Sequence, residues 1–186
     1  CALYNRIDDG VLFAAGQWNP PPGFRSTDLP EGHICTDVIR RADRGCFVAR
    51  HLQESPYADT DPNVRLHGLQ TYVGHRVEVE GEPHGSLCIV YGEDFQPTPD
   101  DERLIGILAA AIGVEEERGL AMKAARESEM RFRELAEMLP QTVFETDIEG
   151  HFTFVNKAAV ASWGYTEAEI QAGMGVSDVI IAEDLD

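Results

Sequence analysis

No proline interrupts the chain between Pro99 and Pro140, and that uninterrupted stretch constrains the fold more than any other feature. Its start is a strong helix signal. Thr98 stands at the N-cap position, Pro99 at the first helical position, and Asp100, Asp101 and Glu102 face the positive end of the helix dipole. From Ile107, residues spaced alternately by four and three are Ala111, Val114, Arg118, Ala121, Ala125, Ser128, Phe132, Leu135 and Leu139. This is a heptad seam, apolar or small except at Arg118 and Ser128, and it ends at Pro140. Two readings are open: a helix lying on its own domain with its charges solvated, or a parallel coiled coil through which two copies pair. The repeat favours the second, with 113–139 as the connecting helix.

On the N-terminal side of this helix, "ALYNRIDDGVLFAAGQW" alternates around a turn signal, predicting a hairpin of Ala2–Ile7 with Val11–Gly16. Pro20, Pro21 and Pro22 make a loop, Ile34, Val38 and Ile39 have helical spacing, and "CFVARH" is a short strand. Asp61 is positioned to cap a short helix begun by Pro62 and stopped by Gly68. "LQTYVGHRVEVEGEPHGSLCIVYGE" reads as a second hairpin turning at "EGEP". On the C-terminal side, two alternating runs flank Ile148-Glu149-Gly150. Asn156 then opens a helix, and Thr166 with Glu169 forms a capping box for another. The pattern is that of an α+β chain.

The chain has 186 residues, room for one ordinary domain and part of a second. With 15 Lys and Arg against 33 Asp and Glu, its net charge of -18 repels phosphate backbones and anionic lipid. The expected partners are therefore small molecules or proteins, with no nucleic acid and no membrane. The longest apolar run, Leu104 to Val114, is well short of a membrane span. Cys1, Cys35, Cys46 and Cys88 include no CxxC pair, so reduced thiols in a cytoplasm are expected. No nucleophile with a base, phosphate loop or metal triad is legible; no catalytic residue and no metal site is expected.

In the second hairpin, Thr71, Val73, His75, Val77 and Val79 share one face of the first arm, and Tyr72, Gly74, Arg76, Glu78 and Glu80 the other. A symmetric turn at Gly81 and Glu82 sets His75 opposite Cys88, with Cβ atoms roughly 5 Å apart. A one-residue bulge at Pro83 or Gly85 sets Leu87 or Ile89 there instead, and sends Cys88 to the other face. In the symmetric register His84 falls at a solvated turn. Each cysteine also has a structural reading, since free cysteine is among the most buried residue types, and a redox reading for Cys35, Cys46 or Cys88.

Residues 1–120 resemble a GAF domain, through "SPYADTDPNVRLHGLQTYVGHRVEVEGEPHGSLCIVYGEDFQPTPDDERLIGILAAAIGVEEER". The likeness lies in the short helix, the "TYVG" strand, the "GSLC" motif, the loop before the closing helix and that helix with its acids. The family's first helix has no counterpart. Residues 129–186 resemble the N-terminal half of a PAS domain. The matching features are the leading helix, Asp147 and Gly150 of the turn, Asn156, the Gly164-Tyr165 pair and the acidic step in "DVIIAEDLD".

These resemblances imply a GAF domain with a central antiparallel sheet flanked by helices, a long connecting helix, then a partial PAS fold. They imply a sensory segment of a two-component histidine kinase, non-catalytic in itself, whose GAF pocket senses a small effector and relays through a homodimeric helix. The alternative is a ligand-free dimerisation and spacer module of a kinase or diguanylate cyclase. Some haem-binding relatives use histidine or cysteine, which makes His75 and Cys88 the candidate cofactor residues here, with His67 and His84 behind them. The bilin motifs are absent, "TDLPEGHIC" being the nearest text, and so is the cyclic-nucleotide set. The flavin-photosensor cysteine motif is absent from the PAS half.

Overall fold

A computed structural model describes residues 1–179, leaving aside the side chains at 167 and 171. The acidic step of the sequence lies outside the described residues. The chain divides into two compact units, Cys1–Leu120 and Ala121–Asp186.

The first unit is built on a six-stranded antiparallel sheet in the order β3-β2-β1-β6-β5-β4. The strands are β1 (Ala2–Asp8), β2 (Val11–Trp18), β3 (Thr27–Asp28), β4 (Phe47–Ala49), β5 (Thr71–Val79) and β6 (Glu82–Tyr91). Both long hairpins turn on two residues with positive φ, Asp9-Gly10 and Glu80-Gly81. That is the backbone combination whose twist matches paired strands. The second turn therefore sits one residue earlier than the symmetric reading placed it.

One face of the sheet is covered by α1 (Ile34–Arg40), with α2 (Tyr57–Thr60) and α3 (Pro62–Leu66) nearby. Asp61 caps α3 as expected, accepting the Asn63 amide at 3.0 Å; α2 had no counterpart in the sequence reading. The other face receives the start of α4 (Pro99–Met138). Thr98 and Asp101 cap it reciprocally, the Thr98 amide donating to the Asp101 carboxylate at 2.8 Å and the Asp101 amide to the Thr98 hydroxyl. Ile105 and Ala109 are buried. At Gly113 a Cβ would stand 2.2 Å from the Glu78 carbonyl oxygen, so only glycine permits this approach of helix to strand.

The first reading of the helix holds for its N-terminal part. Its Ile105, Ala109 and Gly113 side packs on the sheet, while seam residues Ile107, Val114, Phe132, Leu135 and Leu139 stay exposed. No helix among the described residues is long and apolar enough to cross a membrane.

The second unit takes the end of α4, a two-stranded sheet of β7 (Phe144–Thr146) and β8 (Phe152–Val155), then α5 (Lys157–Trp163), α6 (Glu167–Gln171) and α7 (Val176–Val179). Its organising residue is the fully buried Asn156. The Asn156 carbonyl oxygen accepts the amides of Val143 and Ala159, and its amide nitrogen donates to the carbonyls of Ala136 and Gln141. One side chain thus caps α5 and fixes the exit of α4. Thr166 and Glu169 form the expected capping box.

Candidate functional site

The pairing of β5 with β6 decides the first candidate. His75 stands opposite Leu87, and Cys88 opposite Gly74, because a bulge beside Val77 takes up one residue of β6. His75 and Cys88 therefore lie on opposite faces of the sheet: of the two registers the sequence left open the bulged one holds, and the symmetric pairing of His75 with Cys88 is corrected. The contact that fits this register comes from a third strand: a Cβ at Gly85 would stand 2.6 Å from the Asn5 carbonyl oxygen of β1, so β6 brings its glycine to the closest approach and absorbs the extra residue at His84. His84 is accordingly half-buried, with its Nε2 3.7 Å from Glu116, rather than solvated at a turn.

His75 faces α4. Its Nδ1 is 2.8 Å from the Arg76 carbonyl oxygen, and its ring lies against Gly106. Cys88 faces the other way, into a cavity of about 60 Å³ under α1. That space takes about four to six water-sized groups. Drug-sized ligands occupy pockets of roughly 300 Å³ and more. A porphyrin does not fit it, and His75 and Cys88 cannot ligate one iron from opposite faces. His75 and Cys88 together do not form a haem site.

The cavity joins side chains far apart in sequence. Leu3 and Asn5 of β1, Leu12 and Ala14 of β2, Tyr72 of β5 and Cys88 and Val90 of β6 form its floor. Phe24 of the proline-rich connection, His33, Ile34 and Cys35 at the start of α1, Asp61, and His67 after α3 close it. The walls are mainly apolar, and the polar groups fall into two sets.

The first set is a buried charge pair. His33 places Nδ1 3.4 Å from Asp61 and Nε2 3.4 Å from Asp28. Burial works against the imidazolium, but the Asp61 carboxylate outweighs it and raises the His33 pKa above its ordinary value. Burial likewise opposes ionisation of Asp61. His33 and the amides of Ile34 and Asn63 prevail and hold its pKa low. The Ile34 amide donates to Asp61 at 3.1 Å, so this carboxylate joins α1 to α3.

The second set is a pair of thiols. The Asn5 side-chain amide donates to Cys35 Sγ at 3.2 Å and to Cys88 Sγ at 3.6 Å, and the two sulfurs are 4.0 Å apart. The shared hydrogen bond with Cys88 holds the Cys35 thiol below its ordinary pKa. The same bond, with burial, pushes Cys88 well up. The Tyr72 ring lies over Gly74, where a Cβ would stand 2.4 Å from the ring, and its hydroxyl is buried without a hydrogen-bond partner. His67 Nε2 is likewise buried and unpartnered. Polar atoms left over at a cavity wall are what a small hydrogen-bonding ligand would satisfy.

Sequence reasoning named Cys35 and Cys88 separately and missed Asn5, His33 and Tyr72 altogether. One available signal was Gly74 beside Tyr72, a strand glycine that makes room for a neighbouring ring. On the surface of the second unit, Asp147, Glu149 and His151 bring donor atoms within 4.8 Å of one another. Asp147 already accepts the amides of Glu149 and His151, and the group reads as the stabilised turn around Gly150.

A six-stranded antiparallel sheet with small helices over one face and a long helix on the other is a GAF-like α+β fold. Solved structures support that description. A domain of a Sinorhizobium meliloti 1021 protein assigned as a two-component sensor histidine kinase is similar with a TM-score of 0.54. It is 12% identical, and the match covers 67% of this chain and 83% of that one. The GAF domain of PixJ from Thermosynechococcus elongatus, in its blue-light absorbing form, is similar with a TM-score of 0.51. It is 11% identical, and the match covers 68% of this chain and 79% of that one. At such identities the likeness establishes the fold. No family model matches the chain, and no curated protein does.

Proposed function

We propose that this chain is a sensory segment of a signal-transduction protein, in which the cavity under α1 admits a small effector and α4 relays its presence. The observation that carries this reading is the cavity: partly open, mainly apolar, and lined by Tyr72 and His67, whose hydroxyl and Nε2 are buried without a hydrogen-bond partner. Its volume of about 60 Å³ suits a small effector. One or two hydrogen-bonding groups suit the unpartnered atoms.

The likeness to a domain of a sensor histidine kinase supports a two-component kinase as the parent protein. The elements of the second unit, from the turn at Asp147 and Gly150 to the Asn156 cap, support its reading as the N-terminal half of a PAS domain. The exposed seam supports pairing of two copies along α4. Effector binding would favour one packing of the sheet on α4, and the seam would carry that bias between two helix pairings.

Native mass spectrometry of the full chain as expressed, compared with Ala14→Leu, tests the chamber. A small retained mass that the leucine displaces is the expected result. Identical spectra without added mass, together with a stabilised variant, favour the ligand-free spacer module instead.

A further inference from the structure

The thiol pair carries a second inference. Cys35 and Cys88 are 53 residues apart in sequence, yet their sulfurs meet at 4.0 Å, both border the cavity, and one donor, the Asn5 amide, faces both. We propose that Cys35 and Cys88 are an oxidation site, forming a reversible disulfide across the cavity when a small hydroperoxide enters it.

A disulfide needs its sulfurs at about 2.05 Å. Closing the remaining gap requires rotation of the two side chains, both of which border the cavity. The cavity also solves access: both thiols are buried from bulk solvent, but hydrogen peroxide has two non-hydrogen atoms and fits a space of about 60 Å³. The chemistry then has a direction. Cys35, whose thiolate the surroundings favour, attacks one peroxide oxygen. The O–O bond breaks, water leaves, and Cys35 becomes a sulfenic acid. The Cys88 sulfur attacks the Cys35 sulfur, the S–O bond breaks, and the hydroxide departs as water with the Cys88 proton. Two thiols lose two electrons and two protons; one peroxide becomes two waters. A thiol reductant reverses the step by exchange.

The other cysteines are placed differently. Cys46 does not border the cavity, and burial with the charge of Glu102 pushes its thiol up to about 11. Cys1 borders the cavity but is half-exposed.

The disulfide would tie α1 to β6 across the space between them, so the oxidised chain would hold the cavity in one state. That consequence rests on the effector reading given above; the disulfide itself does not.

The test uses the wild-type full chain, treated with hydrogen peroxide, alkylated, and mapped by non-reducing peptide mass spectrometry. The expected result is a Cys35–Cys88 cross-linked peptide, a fall from four alkylatable thiols to two, and recovery with dithiothreitol. Cys35→Ser and Cys88→Ser each abolish that cross-link. Two outcomes overturn the proposal: both thiols remain alkylatable while Cys1 oxidises, or Cys35 proceeds to sulfinic acid with Cys88 still free. A disulfide that forms in a chain retaining no small molecule leaves this site standing and removes the effector reading alone.

Discussion

Replacing Asp61 by alanine should cost the first unit about 3 kcal/mol. About 1 kcal/mol comes from the lost cap on α3, where Asp61 accepts the Asn63 amide. Another 1–3 kcal/mol or so comes from the Ile34 amide, which is left without its acceptor in a residue only 1% exposed. His33 loses its Asp61 partner as well and keeps Asp28. Asp61→Asn keeps an acceptor oxygen and should cost about half as much. The most protected amides of β5 and β6, followed by hydrogen-exchange mass spectrometry, report opening of this unit separately from the second. The pH dependence is the sharper signature. The folded pKa of Asp61 is lowered, so its contribution is fully present above the ordinary value of 3.8 and is lost as pH falls through the lowered one. That of His33 is raised, so its contribution is full below 6.5 and is lost as pH rises through the raised value. The gap between wild type and Asp61→Ala is therefore widest between those two ordinary values and narrows on both sides. A gap under about 1 kcal/mol, or one that does not vary with pH, would refute the role assigned to this pair.

Three further outcomes follow from the geometry. Hemin added to the purified chain should give no ligand-dependent Soret band, and His75→Ala should leave the spectrum unchanged; a Soret band lost in the variant would contradict the face assignment. Asn156→Ala orphans buried partners at both ends of its network and should destabilise the second unit by about 3 kcal/mol. Exchange should rise in Val143–Ala159 and stay unchanged in β5 and β6; equal loss in both units would be the contrary result. Val114→Glu, at a seam residue 62% exposed, should shift sedimentation from dimer to monomer without loss of helicity, whereas an unchanged mass would exclude this seam as the interface.

What was legible in the sequence was local. Asp61, Thr98, Asn156 and Thr166 announce helix starts because each side chain bonds amides two or three residues on, within one turn of chain. The hairpins were equally readable from alternation. The register of β6 was not, because the glycine that fits it, Gly85, answers to the Asn5 carbonyl on a third strand. The site was less legible still. Cys35 and Cys88 meet only after α1 docks on the sheet, and nothing in the spacing of "GHICTD" or "GSLCIV" records that contact. The face of β5 carrying Tyr72 and Gly74 also ends in Arg76 and Glu78, so alternation alone made it look outward-facing. In the fold its first half floors the cavity, while Arg76 donates to the Arg41 carbonyl and pairs with Glu78.

In the proposed relay, the cavity on one face of the sheet and the helix on the other respond to each other. Amide exchange across Leu104–Leu120, measured in wild type and in Ala14→Leu, tests that coupling directly. Filling the cavity should change protection in this helix segment beyond any change shared by all peptides of the first unit. Exchange there that matches wild type, in a variant whose cavity is filled, would contradict the relay.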